Sequence, residues 1–172
     1  ALPIWNSVQA MPRSLELHGD HLCQEPVPEM QSLRGACYSK QDLVVTPGQS
    51  GYVDKRGDTV EIIADFEPRD ARCFGLKVRV SQDGQSGVRV FFDAATNECG
   101  VDGATVAQAR GPSYLSKGQL VRMHVFLDKL LLETFINGQT CTVAAKHEPH
   151  PACDGIDLFS EGGAARCTKL EI

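Results

Sequence analysis

The chain has 172 residues, 42% of them hydrophobic, and carries 17 Lys and Arg against 22 Asp and Glu, for a formal net charge of -5. That length suits one domain able to bury ~70% of its unfolded surface, so a viable core needs neither a disulfide nor a metal. The acidic balance argues against a nucleic-acid partner, whose phosphates demand clustered Lys and Arg, and no apolar run approaches the ~18 residues that a membrane helix requires.

The first dozen residues, with Pro3, Trp5 and Pro12, read as a linker that lies against something else. Arg13-Ser14-Leu15-Glu16-Leu17 then leads to His18 and His21 on either side of a Gly19-Asp20 turn, a hairpin pattern. Beyond the break at Pro26 and Pro28, residues 29–34 could hold a short helix; residues 101–110 are the other candidate. Val60, Ile62, Ala64 and Phe66 alternate on one strand face, and Phe74, Leu76, Val78 and Val80 on another, with Lys77 and Arg79 opposite. Val88, Val90 and Phe92 repeat the pattern after the Gly84 turn. Residues 120–127 are bulky on both faces, which predicts a central strand.

Asn137-Gly138 follows directly on an apolar run, and both residues tolerate the positive φ of a type I′ turn. It should join a strand over 130–136 to one over 140–145. Glu133 lies inside the first of these and is expected to face outward, since Glu is almost never fully buried unless paired. Many short strands between turn residues, with no repeated helical pattern, predict an all-β fold, a two-sheet antiparallel β-sandwich of the concanavalin or jelly-roll kind.

Several motifs also occur in a telling order. They are Pro12-Arg13-Ser14-Leu15-Glu16-Leu17, then Gln24-Glu25-Pro26-Val27-Pro28-Glu29 with Leu33-Arg34, then Gly57-Asp58-Thr59-Val60-Glu61-Ile62 and Phe74-Gly75-Leu76. Phe126-Leu127-Asp128 with Glu133-Thr134-Phe135-Ile136-Asn137-Gly138 follows, and Gly155-Ile156-Asp157-Leu158-Phe159-Ser160-Glu161-Gly162-Gly163-Ala164 closes the series. From Trp5 to Ile172 the set resembles the C-terminal β-sandwich of glycoside hydrolase family 32, the invertase and β-fructofuranosidase group. The resemblance implies a linker over 1–12 from an N-terminal five-bladed catalytic propeller and a non-catalytic sandwich over 13–172. Trp5, Pro12 and Arg13 would contact the propeller. The sandwich would stabilise the enzyme and in some relatives build a homodimer interface. The parent enzyme, an invertase or a sucrose-6-phosphate hydrolase, would hydrolyse terminal β-fructofuranosides with retention. No cofactor or metal is implied. Two departures stand out: Gly103 follows Val101-Asp102 where the family often has Arg, and Lys129-Leu130 fills a turn where small polar residues are usual.

No catalytic residue is assigned. The family's nucleophile block, Asn-Asp-Pro, is absent from the sequence. Arg69-Asp70-Ala71 and Glu98-Cys99 look like the other two catalytic blocks but sit among sandwich motifs, so both read as loop charges between strands. Two clusters carry zinc-compatible ligand types, His18 and His21 with Cys23, and His147 and His150 with Cys153; neither supplies four convergent ligands, and each reads as a turn or a loop. The seven cysteines leave disulfide pairing open, although Cys73, Cys141 and Cys167 fall in or beside strand patterns where a free thiol behaves as a buried hydrophobe. No targeting segment is recognisable, so cytoplasmic and secreted settings both stay open. The alternative function is a free-standing fructan-binding module with weak fructoside affinity, for which Trp5, Tyr38, Tyr52 and Tyr114 are the available aromatic platforms.

Overall fold

A computed structural model of the chain describes residues 9–103, 108–129, 131–145 and 152–172, with side chains of 140–145 excepted. Its strands are β1 (Arg13–His18), β2 (His21–Pro26), β3 (Ser39–Val45), β4 (Thr59–Glu67), β5 (Cys73–Val80), β6 (Val88–Asp93) and β7 (Glu98–Gly103). They continue as β8 (Ala109–Pro112), β9 (Val121–Asp128), β10 (Leu131–Ile136), β11 (Thr140–Ala145), β12 (Gly155–Glu161) and β13 (Ala165–Glu171). A six-stranded sheet in the order β11-β10-β9-β4-β13-β3 faces a five-stranded sheet in the order β12-β5-β6-β7-β8. Every described pairing is antiparallel. This is the expected β-sandwich.

Alternation supplies the core. Ile62, Ala64 and Phe66 from β4 and Val121, Met123 and Val125 from β9 point inward, against Phe74, Leu76, Val78, Val88, Val90 and Phe92 from the other sheet. Each fully buried large apolar side chain contributes about 1.5–3 kcal/mol over its exposed state. As expected, β9 is interior, with β10 on one side and β4 on the other. The turn after β10 also matches: Asn137 and Gly138 have φ of 50° and 65°. Asn137 additionally ties the turn to the start of β9, accepting the Arg122 N–H at 2.8 Å and donating to the Leu120 carbonyl at 2.9 Å.

Four expectations fail in whole or in part. Residues 101–103 and 109–110 lie in β7 and β8 rather than a helix, because Val101 is a core residue and the backbone pairs in register with β6. The other helical candidate forms only a 3-10 turn, Pro28–Leu33. Arg79 is buried although alternation puts it outside: its φ of 54° breaks the strand geometry, and β12 has a register shift opposite. Glu133 is also buried, and the reason lies in the hairpin described next.

Candidate interdomain surface

β1 and β2 form a two-stranded sheet of their own, pairing with no other strand among the described residues. His18 faces His21 at its tip, as the turn pattern requires. The base of the hairpin is latched to the outer face of the six-stranded sheet. There the Arg13 guanidinium donates to Glu133 Oε2 at 2.6 Å, and the Met11 backbone N–H donates to Oε1 at 2.7 Å. Glu133 is therefore buried because it is paired, the exception that its residue type allows. Arg13 also lies 5.5 Å from the centre of the Phe135 ring, and the Gln24 N–H donates to the Gly138 carbonyl at 2.7 Å.

Away from that base, the same hairpin is open. The register sets Leu17 directly opposite Leu22, with Leu15 two residues along on the same face. Their exposures are 70%, 52% and 61%. A lone two-stranded hairpin is marginal in water, and clustered exposed leucines mark a surface meant to be covered. Of the residues expected at an interdomain contact, Pro12 is exposed, Arg13 is turned into the sandwich against Glu133, and Trp5 lies outside the described residues.

After β2, residues 27–36 cross the outer face of the same sheet as a strap. Arg34 holds it, donating through Nε and Nη2 to the two carboxylate oxygens of Glu61, each at 2.7 Å. His124 Nε2 bonds Glu61 Oε1 from the other side at 2.7 Å. The His124 ring rests 4.6 Å from Phe126, which meets Phe135 edge-on at 6.1 Å. A groove of ≈ 360 Å³ runs along one side of the strap, past Met30, Arg122 and His124; another of ≈ 660 Å³ opens on the other side, past Leu33, Val60 and Asp128.

The electrostatics of this clamp suit anchoring rather than hydrolysis. Burial alone would raise the Glu61 pKa, but the hydrogen bonds from Arg34 and His124 outweigh it and hold the carboxyl below its ordinary range. A glycosidase acid needs the opposite shift. Burial lowers the His124 pKa despite its bond to Glu61, so the ring is neutral at pH 7 and donates its Nε2 proton to the carboxylate. A depressed histidine contributes stability that is complete above its ordinary value of 6.5 and is lost as pH falls through the folded value. Glu61 adds a second loss below 4.5. Thermal unfolding should therefore shift to lower temperature between pH ~7 and ~5, and His124→Gln should flatten that limb while leaving the lower one.

The catalytic look-alikes have separate structural tasks. Asp70 Oδ1 accepts the Ala164 N–H at 2.8 Å, and Glu98 opens β7, inside a strand rather than a loop, beside Arg110 at 3.3 Å. His18 sits beside Glu16 and His21 beside Asp20, while Cys23 is buried. His147 and His150 lie outside the described residues; Cys153 is half-buried. Burial pushes the Cys73 thiol up to about 11 and the Cys167 thiol up to about 12, as expected of cysteines used as small hydrophobes. The Cys141 side chain is outside the described set.

The tyrosines offer no shared platform. Tyr52 is buried with its hydroxyl on Thr46, Tyr38 is half-buried and accepts the Asp54 N–H at 3.0 Å, and Tyr114 stacks at 4.2 Å on His21.

A family model described as glycosyl hydrolases family 32 C terminal matches residues 29–172. The levanase of Bacillus subtilis is 26% identical over 98% of this chain, and a sucrose-6-phosphate hydrolase of Zymomonas mobilis is 30% identical over 77%. The chain spans about a quarter of the length of these curated relatives, 27% and 26%. Among solved structures, fructan 1-exohydrolase IIa from Cichorium intybus superimposes with a TM-score of 0.79 at 16% identity, covering 94% of this chain and 40% of that one. Exo-inulinase from Aspergillus awamori gives 0.75 at 23% identity, covering 95% and 35%.

Proposed function

This chain belongs to the C-terminal family of the glycosyl hydrolases family 32 proteins, and from that premise we propose that it is the non-catalytic sandwich of a β-fructofuranosidase, holding and stabilising a catalytic propeller of the same protein. The whole enzyme would release terminal fructose from sucrose or a fructan with retention, through a covalent fructosyl intermediate. Within it, residues 1–12 serve as linker and 13–172 as the sandwich domain, with Trp5 and Pro12 against the propeller. Arg13 sets the angle of the hairpin by its bond to Glu133. A homodimer contact remains a further use of the exposed sheet faces.

The observation that carries this reading is the hairpin. One end of it is fixed to the sandwich by a buried ion pair, while Leu15, Leu17 and Leu22 extend the same element into solvent. An element built this way joins two bodies. In the full-length enzyme, the triple variant Leu15→Ser, Leu17→Ser, Leu22→Ser should shorten the half-life of fructose-releasing activity on heating several-fold. Initial kcat/KM should stay within about twofold, because the leucines touch no reacting group. An unchanged half-life would remove the hairpin from the interface.

A further inference from the structure

Asn137-Gly138 shapes the β10–β11 turn, and the same pair carries a reactivity that the turn does not need. A backbone nitrogen that follows asparagine can attack the asparagine side-chain carbonyl carbon. Glycine hinders this least, because it has no Cβ to crowd the nitrogen. The turn's own bond runs from the Gln139 N–H to the Ile136 carbonyl at 2.9 Å and leaves the Gly138 nitrogen out. What restrains the pair is the Asn137 amide. Its Oδ1 accepts the Arg122 N–H at 2.8 Å and its Nδ2 donates to the Leu120 carbonyl at 2.9 Å, so attack requires the amide to leave both partners. Both bonds lie at the surface, where water competes for the same groups.

This turn also holds the N-terminal hairpin. The Gly138 carbonyl accepts the Gln24 N–H at 2.7 Å, and Glu25 covers Gly138 so closely that a Cβ there would stand 2.5 Å from its Oε1. A two-residue type I′ turn fixes the register of its strands, here Ile136 against Thr140. An extra backbone atom does not fit into it without moving Gly138 away from Gln24.

We propose that Asn137 is a site of spontaneous covalent modification, converting to aspartate or isoaspartate at a rate gated by its bonds to Leu120 and Arg122, and that the isoaspartyl form releases the Gln24 contact. The Gly138 nitrogen forms a bond to Asn137 Cγ and gives up its proton, the Cγ–Nδ2 bond breaks, and ammonia leaves. The product is a cyclic succinimide, which water opens at one of its two carbonyls. Opening on one side gives aspartate, which sets a carboxylate oxygen against the Leu120 carbonyl where Nδ2 had donated. Opening on the other side routes the backbone through Cγ and lengthens the turn by one carbon. Water is the only co-reactant.

The test is storage of the native 172-residue chain at mildly alkaline pH, beside the same chain unfolded in urea, followed by peptide mass mapping with an isoaspartate assay. Asn137 should convert in the native chain roughly ten- to a hundredfold more slowly than in urea, the protection that two surface hydrogen bonds supply. Asn97 is followed by Glu98, and its amide is held by Ser113 and Leu115 at 2.7 and 3.1 Å, so it should stay intact over the same time. In the isoaspartyl fraction, separated by ion exchange, the Gln24 amide hydrogen should exchange with solvent about tenfold faster or more. Asn137→Gly keeps residues suited to a type I′ turn and should yield no such fraction. The proposal is overturned if native conversion is equal to that in urea or more than about a thousandfold slower. It is equally overturned if Asn97 converts as fast, if Asn137→Gly still yields the fraction, or if Gln24 exchange in that fraction is unchanged.

Discussion

Arg13→Ala is expected to destabilise the domain by about 3–5 kcal/mol, because it leaves the Glu133 carboxylate buried with only the Met11 N–H to balance its charge. The side-chain exposures, 19% for Arg13 and 1% for Glu133, put this pair in the class where removal of one partner is far costlier than removal of both. The double variant Arg13→Met, Glu133→Leu should accordingly recover most of the loss and come within about 1 kcal/mol of wild type. Urea unfolding of the two variants measures both numbers. A single variant that costs less than about 1 kcal/mol would mean that the hairpin is not latched in solution.

Gly75→Ala should be comparably severe. Gly75 is buried in β5, opposite Phe159 on one neighbour and Phe91 on the other, and has a φ of 154°. A Cβ there would lie 2.1 Å from the Val90 carbonyl oxygen and 3.0 Å from Met123 Cε. The carbonyl belongs to paired backbone and cannot move aside without breaking the β5–β6 ladder. Overpacking and backbone strain together give about 3 kcal/mol or more, read as a fall of roughly 6–12 °C in the unfolding midpoint. A midpoint within about 2 °C of wild type would contradict the placement of β5.

The architecture was legible because it rests on local rules. Val60 to Phe66 and Val88 to Phe92 alternate, and the sheets use that alternation; Asn137-Gly138 allows positive φ, and the turn uses it. What escaped was non-local or broke the local rule. Arg13 and Glu133 are 120 residues apart, so nothing near Glu133 announces its partner. Arg79 defeats alternation through one positive φ, which no side chain requires of an arginine. Residues 101–110 lack strong strand spacing because Gly100 and Gly103 interrupt it, yet pairing of β7 with β6 and of β8 with β7 makes 101–103 and 109–110 strand. Of the proposed interdomain surface, the sequence singled out Pro12 and Arg13, which lie at the foot of the hairpin. The exposed leucines of the hairpin are ordinary strand residues until their lack of cover is seen.

The most direct measurement is fructose release from sucrose or inulin by the separately produced catalytic domain after heating, with and without this polypeptide added. The chain alone should release none, and its addition should raise the temperature at which half the activity is lost by several degrees. Turnover by the chain alone, or a catalytic domain whose inactivation ignores the addition, would contradict a structural partner held through the hairpin.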